Sequence, residues 1–341
     1  MTTLVSGATG FVGSHVARRL AASGESVRAL ARTGSRRQAL EGVAVEWVEG
    51  DLRDEGSLDR ALAGVHRVYH VAADYRLWSR RPREIYDSNV TGTKNLLAAA
   101  LRARVQQFVY TSTVATIAVP RGNALPDETN RASVDEMIGN YKRSKLLAEQ
   151  EALRAAHEGL PVVIVNPTTP VGPGDWKPTP TGRIILDFLR GRMPAYVDTG
   201  LNFVAVEDVA EGHLLAAQRG KIGERYLLGG RNMTLKELLD ALARITGLAA
   251  PTWRIPHSVA LIAACADAAY SRVTRREPRI PIEGVRIARH KMFVNDAKAR
   301  KELGYEPGTV EAALERAVRW YVENCDVTLP KREGVAQVSA A

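Results

Sequence analysis

Gly7-Ala8-Thr9-Gly10-Phe11-Val12-Gly13 follows the short apolar run Leu4-Val5 near the start of the chain, and the architecture turns on this junction. Glycines at these spacings permit a tight strand-to-helix turn, let backbone approach a pyrophosphate and let the helix pack on the strand. The unpaired N–H groups that open the helix, with the positive end of its dipole, then favour an anion without a dedicated cationic side chain. The flanks agree. Ser14 to Ala22 has the spacing of a helix with Val16 and Leu20 turned inward, and Val27-Arg28-Ala29-Leu30 that of the next strand. The expected ligand is a dinucleotide.

Strand and helix signals alternate through the first half with few Gly/Pro clusters between them, which predicts an α/β chain built on a doubly wound parallel sheet. The 341 residues suffice for two unequal domains around a shared crevice. The expected division is a dinucleotide-binding domain over 1–169, rejoined by 203–225, a smaller C-terminal substrate-binding domain from 170–202 and 226–325, and a mobile tail over 329–341. The net charge of +9 is spread along the chain without a nucleic-acid motif, so it points to an anionic cofactor and small-molecule substrate rather than nucleic acid. Cys265 and Cys325 lack metal-type spacing, so no metal site is expected and a reducing cytoplasm fits. The first apolar residues already belong to the first strand, so no leader is expected. No apolar run reaches the ~18 residues of a membrane span. Val259 to Ala269 is apolar nearly all round, as in a buried or dimer-facing helix or one that touches a membrane surface.

The second strand ends in Ala31-Arg32, where a site preferring NAD would place a carboxylate for the ribose hydroxyls. Arg32, with Arg36 or Arg37 beyond, offers guanidinium donors suited to a 2′-phosphate. NADP(H) is therefore the expected cofactor, with NAD(H) the alternative. Asp51-Leu52 after the third strand would lie by the adenine. Val68 to Ala73 reads as the fourth strand, with Ala72 and Ala73 leaving room for the cofactor.

Tyr141-Lys142-Arg143-Ser144-Lys145 falls inside a segment read as helix from about Val134 to His157. Residues i and i+4 share a helix face about 6 Å apart, so Tyr141 and Lys145 point the same way. A tyrosine titrates near pH 10, and a neighbouring ammonium and positive nicotinamide would stabilise the phenolate; a shift of about three units needs roughly 4 kcal/mol. Phe108-Val109-Tyr110-Thr111-Ser112-Thr113 reads as a strand ending in hydroxyls, and ligands collect at such carboxyl ends. A hydroxyl there could hold a substrate oxygen while Tyr141 exchanges its proton.

The glycine turn, Asp51, Ala72-Ala73, Asn89 in Asn-Val-Thr-Gly, the hydroxyl cluster, Tyr141 and Lys145, and Asn166-Pro167 followed by Gly172-Pro173 resemble the extended short-chain dehydrogenase/reductases over about 325 residues. Within that group the runs Ala72 to Trp78, Gly139 to Lys145, Lys177 to Arg183 and Met193 to Asn202 are similar to dihydroflavonol 4-reductase-like proteins and, more closely, to the hopanoid-associated sugar epimerases. The resemblance implies a Rossmann-type fold. It implies that Tyr141 is the general acid/base, that Lys145 lowers its pKa and holds the nicotinamide ribose, and that Thr113 is the catalytic hydroxyl. Serine is usual at Thr113, which leaves Ser112 as a competitor.

Asn89 would support the active-site helix beside the cofactor. Thr111, Ser112, Pro167, Thr168 and Thr169 would line the cofactor, and Asp74, Tyr75, Trp78, Asn166 and Lys177 the substrate. Asp208 reads as an anchor or cap, and Arg272, Arg275, Arg276 and Arg279 as a solvated basic loop or a diphosphate grip. Sugar-nucleotide dehydratases of this group carry an Asp-Glu pair after the catalytic threonine; Val114-Ala115 stands here. What remains is an NADPH-dependent ketone or aldehyde reductase, a nucleotide-sugar epimerase working through a transient ketone, or a non-catalytic redox sensor. The resemblance also implies a homodimer through the active-site helix.

Overall fold

The computed structural model describes residues 1–120 and 124–329, so residues 330–341 of the expected tail lie outside the described residues. Seven parallel strands form the main sheet: β1 (Thr2–Ser6), β2 (Ser26–Ala31), β3 (Glu46–Glu49), β4 (Arg67–His70), β5 (Gln107–Thr111), β6 (Val162–Pro167) and β10 (Arg225–Leu228). Their order is β3-β2-β1-β4-β5-β6-β10, so the direction of winding reverses between β1 and β4 and opens a crevice at their carboxyl ends. β6 is buried along its whole length, as its unbroken Val162-Val163-Ile164-Val165 run requires of a strand covered on both faces.

Helices α1 (Phe11–Ala22), α7 (Val206–Arg219) and α11 (Ala297–Leu303) pack on one face. On the other lie α2 (Glu55–Leu62), α4 (Gly92–Arg102), which continues from the short α3 (Arg83–Tyr86), and α5 (Gly139–His157). As the spacing predicted, Val16 and Leu20 are fully buried.

A second layer has its own core. Strands β7 (Thr169–Val171), β9 (Gly200–Ala205) and β11 (Arg231–Thr234) form a three-stranded sheet covered by α6 (Pro180–Leu189), α8 (Leu235–Thr246) and α12 (Val310–Asn324). Beyond it β8 (Ala195–Tyr196) pairs with β12 (Trp253–Arg254), and α9 (His257–Thr274) packs on α10 (Ile282–Ile287).

Several boundaries differ from expectation for local reasons. β4 stops at His70, because the chain then turns over Gly7 and the Ala72 N–H donates to Ser6 Oγ at 3.3 Å. β5 stops at Thr111, before a 3₁₀ turn over Val114–Thr116 that Thr113 caps. α5 starts at Gly139 rather than Val134, because Gly139 has φ +87°, which a continuous helix cannot contain. The expected boundary at 225/226 runs through β10, and the chain returns to the main core once more at α11 and Tyr305.

Candidate active site

β1 runs into Gly7, whose φ of +73° lies in the left-handed region that glycine enters without strain. A Cβ on Gly7 would sit 2.6 Å from the Ala72 nitrogen, and one on Gly13 would sit 2.1 Å from the Gly7 carbonyl oxygen. Only bare backbone fits this turn. Gly10 precedes α1 and offers no side-chain cap, which leaves the first N–H groups of the helix to a ligand. The cradle fits a dinucleotide pyrophosphate, and Gly7, Thr9, Gly10, Phe11, Val12 and Gly13 would hold it.

Arg32 follows β2 directly; it and Arg36 are exposed, and neither makes an ion pair among the described residues. Arg37 is occupied differently, stacked over Trp47 at 4.8 Å. Asp51 is gripped by Arg53 through two hydrogen bonds of 3.0 and 2.6 Å, and this grip draws its carboxyl down to about 2. Leu52 packs beneath Gly92, where a Cβ would come 2.8 Å from the Leu52 Cβ.

Three consecutive residues at the end of β5 face three different partners. The Thr111 hydroxyl donates to His213 Nε2 at 2.8 Å, and His213 Nδ1 donates to the Val209 carbonyl at 2.7 Å; burial holds this imidazole neutral, at about 4. Thr111 thus commits its hydroxyl to His213. Ser112 donates to the buried Glu149 carboxylate. Thr113 accepts from the Ala115 N–H at 3.2 Å and presents its hydroxyl to Tyr141. Of the competing hydroxyls, Thr113 is the one that faces the phenol.

The phenol itself departs from expectation. Burial pushes Tyr141 above its ordinary value, with the Thr113 hydrogen bond opposing, because Lys145 is directed elsewhere. Lys145 Nζ donates to Tyr110 Oη at 2.9 Å and to the Thr111 carbonyl at 2.7 Å. Burial draws this ammonium down to about 7, with Glu149 opposing.

An unfolded lysine titrates near 10.4. Between about pH 7 and 10 the unfolded chain therefore holds more protons at this position than the folded one, so stability at this site falls as pH is lowered through that window. Lys145→Met should gain stability relative to the parent from pH 10 down to 7 and hold a constant offset below. Urea midpoints at four pH values check this; an offset independent of pH would contradict it.

Behind Lys145 a buried line of groups continues. Tyr110 bonds to Thr93, whose Oγ1 lies 2.9 Å from His70 Nε2, and His70 Nδ1 lies 2.7 Å from Ser6 Oγ. Burial first, and the Lys145 charge second, hold His70 at about 3 and therefore neutral.

Glu149 is the residue the sequence reading missed. Its Oε2 accepts from Ser112, from Thr116 Oγ1 at 2.7 Å and from Asn166 Nδ2 at 2.9 Å, while Oε1 pairs with Arg225 at 3.1 Å. The spacing Tyr141, Lys145, Glu149 runs along one helix face and is the signal that could have found it. Asn166, expected at the substrate, has no exposed surface; its Nδ2 also reaches the Thr113 carbonyl at 3.1 Å and braces that turn from behind. Thr168 likewise turns inward, donating to the Leu228 carbonyl at 3.3 Å, while Pro167 is buried in β6 and Thr169 opens β7.

Asn89 ties the loop after β4 to α5, accepting from the Asp74 N–H at 2.7 Å and donating to Ser144 Oγ at 2.9 Å. Asp74 is committed to Arg76 at 2.5 Å, and Tyr75 donates to the Lys177 carbonyl at 3.1 Å, which brings two of the substrate-side candidates together. Trp78 is half-buried on the same loop and the Lys177 side chain is exposed. Asp208 accepts from the Gly308 N–H at 2.8 Å, as an anchor does.

Comparison with known proteins agrees with this geometry. The chain is 46% identical over 321 residues to a Synechocystis sp. protein that bears the name dihydroflavonol 4-reductase, covering 93% of each chain. It is 40% identical over 326 residues to sterol demethylase protein B of Methylococcus capsulatus, covering 95% of this chain and 99% of that one. Among solved structures, a nucleoside-diphosphate-sugar epimerase from Pseudomonas aeruginosa superposes with a TM-score of 0.79 at 29% identity, over 96% of this chain and 99% of that one. The sequence model of the NAD dependent epimerase/dehydratase family matches residues 3–229, and with the parallel sheet and the glycine cradle this chain belongs to that family of NAD(P)-dependent enzymes.

Proposed function

We propose that this enzyme is an NADPH-dependent reductase of ketones or aldehydes. The observation that carries the reading is the Thr113 hydroxyl turned to Tyr141 at the carboxyl end of β5, with Lys145 buried behind it. When bound, a reduced nicotinamide supplies hydride to the carbonyl carbon. The chain's own residues manage the oxygen. Thr113 donates a hydrogen bond to it, and Tyr141 passes its proton to it as the alkoxide develops. Raised by burial, Tyr141 is protonated at neutral pH, the form an acid needs in the reducing direction. Val114 and Ala115 supply no carboxylate beside Thr113, which supports reduction over elimination. The reductase name of the Synechocystis relative lends further support.

The preference for NADPH rests on Arg32 and Arg36, exposed beside the end of β2. A charge-assisted hydrogen bond of about 1.5–3 kcal/mol corresponds to roughly 10–100-fold in affinity. Arg32→Ala should raise the KM for NADPH by that factor and leave that for NADH within about threefold. Initial rates with each cofactor decide; equal losses on both would remove the phosphate contact.

The epimerase reading is favoured by the likeness to the Pseudomonas structure. An epimerase returns the hydride to its product and keeps its nucleotide, so mass analysis of released nucleotide and exchange with labelled NADPH separate the two. Rapid exchange with net NADPH consumption supports the reductase, and a retained oxidised nucleotide overturns it.

A further inference from the structure

We propose that the outer face of α9, together with the arginine-rich turn that follows it, docks on an anionic lipid membrane. α9 buries Ala260, Ala264 and Ser271 against the protein. Its opposite face is also apolar and is uncovered: Val259 is 49% exposed, Ile262 70%, Tyr270 59% and Val273 84%, with Ala263, Ala266 and Ala269 exposed between them. These positions recur at helical spacing over about four turns, some 21 Å at 1.5 Å per residue. A helix at a protein–water boundary ordinarily turns polar side chains outward. This one does not.

The charge around the face selects the occupant. Arg272, Arg275, Arg276, Arg279 and Arg289 are all exposed, and among the described residues none of them makes a salt bridge; Arg286 is exposed as well but lies in the field of Glu283. The pairs formed nearby are Arg254 and Lys291 with Asp198. Between 271 and 290 the only acids are Glu277 and Glu283, and Glu283 is turned inward over Gly139 and the Asn140 N–H. A second copy of this chain, meeting the face about a twofold axis, would set arginines against arginines. A bilayer with anionic headgroups supplies both complements at once, acyl chain for Ile262 and Val273 and phosphate for the guanidinium groups. Exposed Trp253, just before the helix, is a residue type that settles at such boundaries.

The surface is joined to the site. α10 packs on α9, and through Glu283 it sits over the residues that open the Tyr141 helix. Docking would therefore bring the Tyr141 end of the crevice to the bilayer, whichever reaction runs there.

Flotation of the full-length protein with vesicles tests this. Binding is expected to phosphatidylcholine vesicles containing about 30% phosphatidylglycerol, to weaken about tenfold or more on phosphatidylcholine alone, and to be reversed in part by 0.5 M salt. Ile262→Glu/Val273→Glu should abolish flotation with melting temperature and nucleotide binding unchanged, since both side chains face solvent. Arg272→Gln/Arg276→Gln should lose the preference for phosphatidylglycerol. Absence of flotation on either vesicle, flotation that survives Ile262→Glu/Val273→Glu, or a dimer in solution that these substitutions dissociate would overturn the proposal.

Discussion

Tyr141→Phe is expected to lower kcat by about 100-fold or more while leaving the dissociation constant for the nucleotide within about threefold. Phenylalanine keeps the ring that packs at this half-buried position and removes the one hydroxyl that the Thr113 hydroxyl faces. In the proposed reduction the proton for the developing alkoxide would then have to come from water, and proton transfer by a positioned side chain is worth about 10²–10⁴-fold. The loss should fall on kcat rather than on cofactor binding, because the glycine cradle lies on β1 and α1, elements Tyr141 does not belong to. Stopped-flow turnover alongside fluorescence titration of NADPH measures both quantities. Unchanged turnover would take Tyr141 out of the chemistry.

Glu149→Leu is expected to destabilise the protein by about 3–5 kcal/mol, the usual cost of leaving one partner of a buried ion pair uncompensated. Arg225 and Glu149 keep only 10% and 2% side-chain exposure, so solvent offers the stranded guanidinium little relief. Ser112, Thr116 and Asn166 lose their shared acceptor in the same step. Arg225→Met on the Glu149→Leu background should recover part of the loss by removing the charge, though not the part that belongs to the three hydrogen bonds. Denaturant midpoints of the single and double variants give the comparison; a single variant within about 0.5 kcal/mol of the parent would show that water or rearrangement relieves the site. Turnover should fall too, because Asn166 and Glu149 brace the Thr113 turn.

The parts of this molecule readable from its sequence are those set by local rules. Glycine spacing gave the turn after β1, helical spacing put Val16 and Leu20 inside, and alternating elements gave the parallel sheet. The i, i+4 relation of Tyr141 and Lys145 did put them on one helix, but their electrostatics depended on a third residue. Tyr110, from β5, takes up the ammonium that spacing alone assigned to the phenol. Asn166 and Thr168 stand in family-like positions yet turn inward, because which way a strand-end side chain points depends on the hydrogen-bonding partners other segments bring. Arg225 could not be paired with Glu149 from sequence, since nothing local links residues 76 apart. The start of α5 was misplaced for a local reason that could have been seen: Gly139 follows a Ser133–Glu136 capping box that closes its own short turn.

The placement of β10 bears on how the chain is made. The dinucleotide half appears complete on paper once β6 has been synthesised, yet its outer edge stays unpaired and Glu149 stays without a counterion until Arg225 has left the ribosome. The cap over the Tyr141 helix waits longer, for Glu283. A nascent or truncated chain ending near residue 169 therefore carries the glycine turn together with Thr113, Tyr141 and Lys145 on an unfinished sheet, and cutting the gene at that apparent boundary is a poor way to obtain a minimal nucleotide-binding fragment.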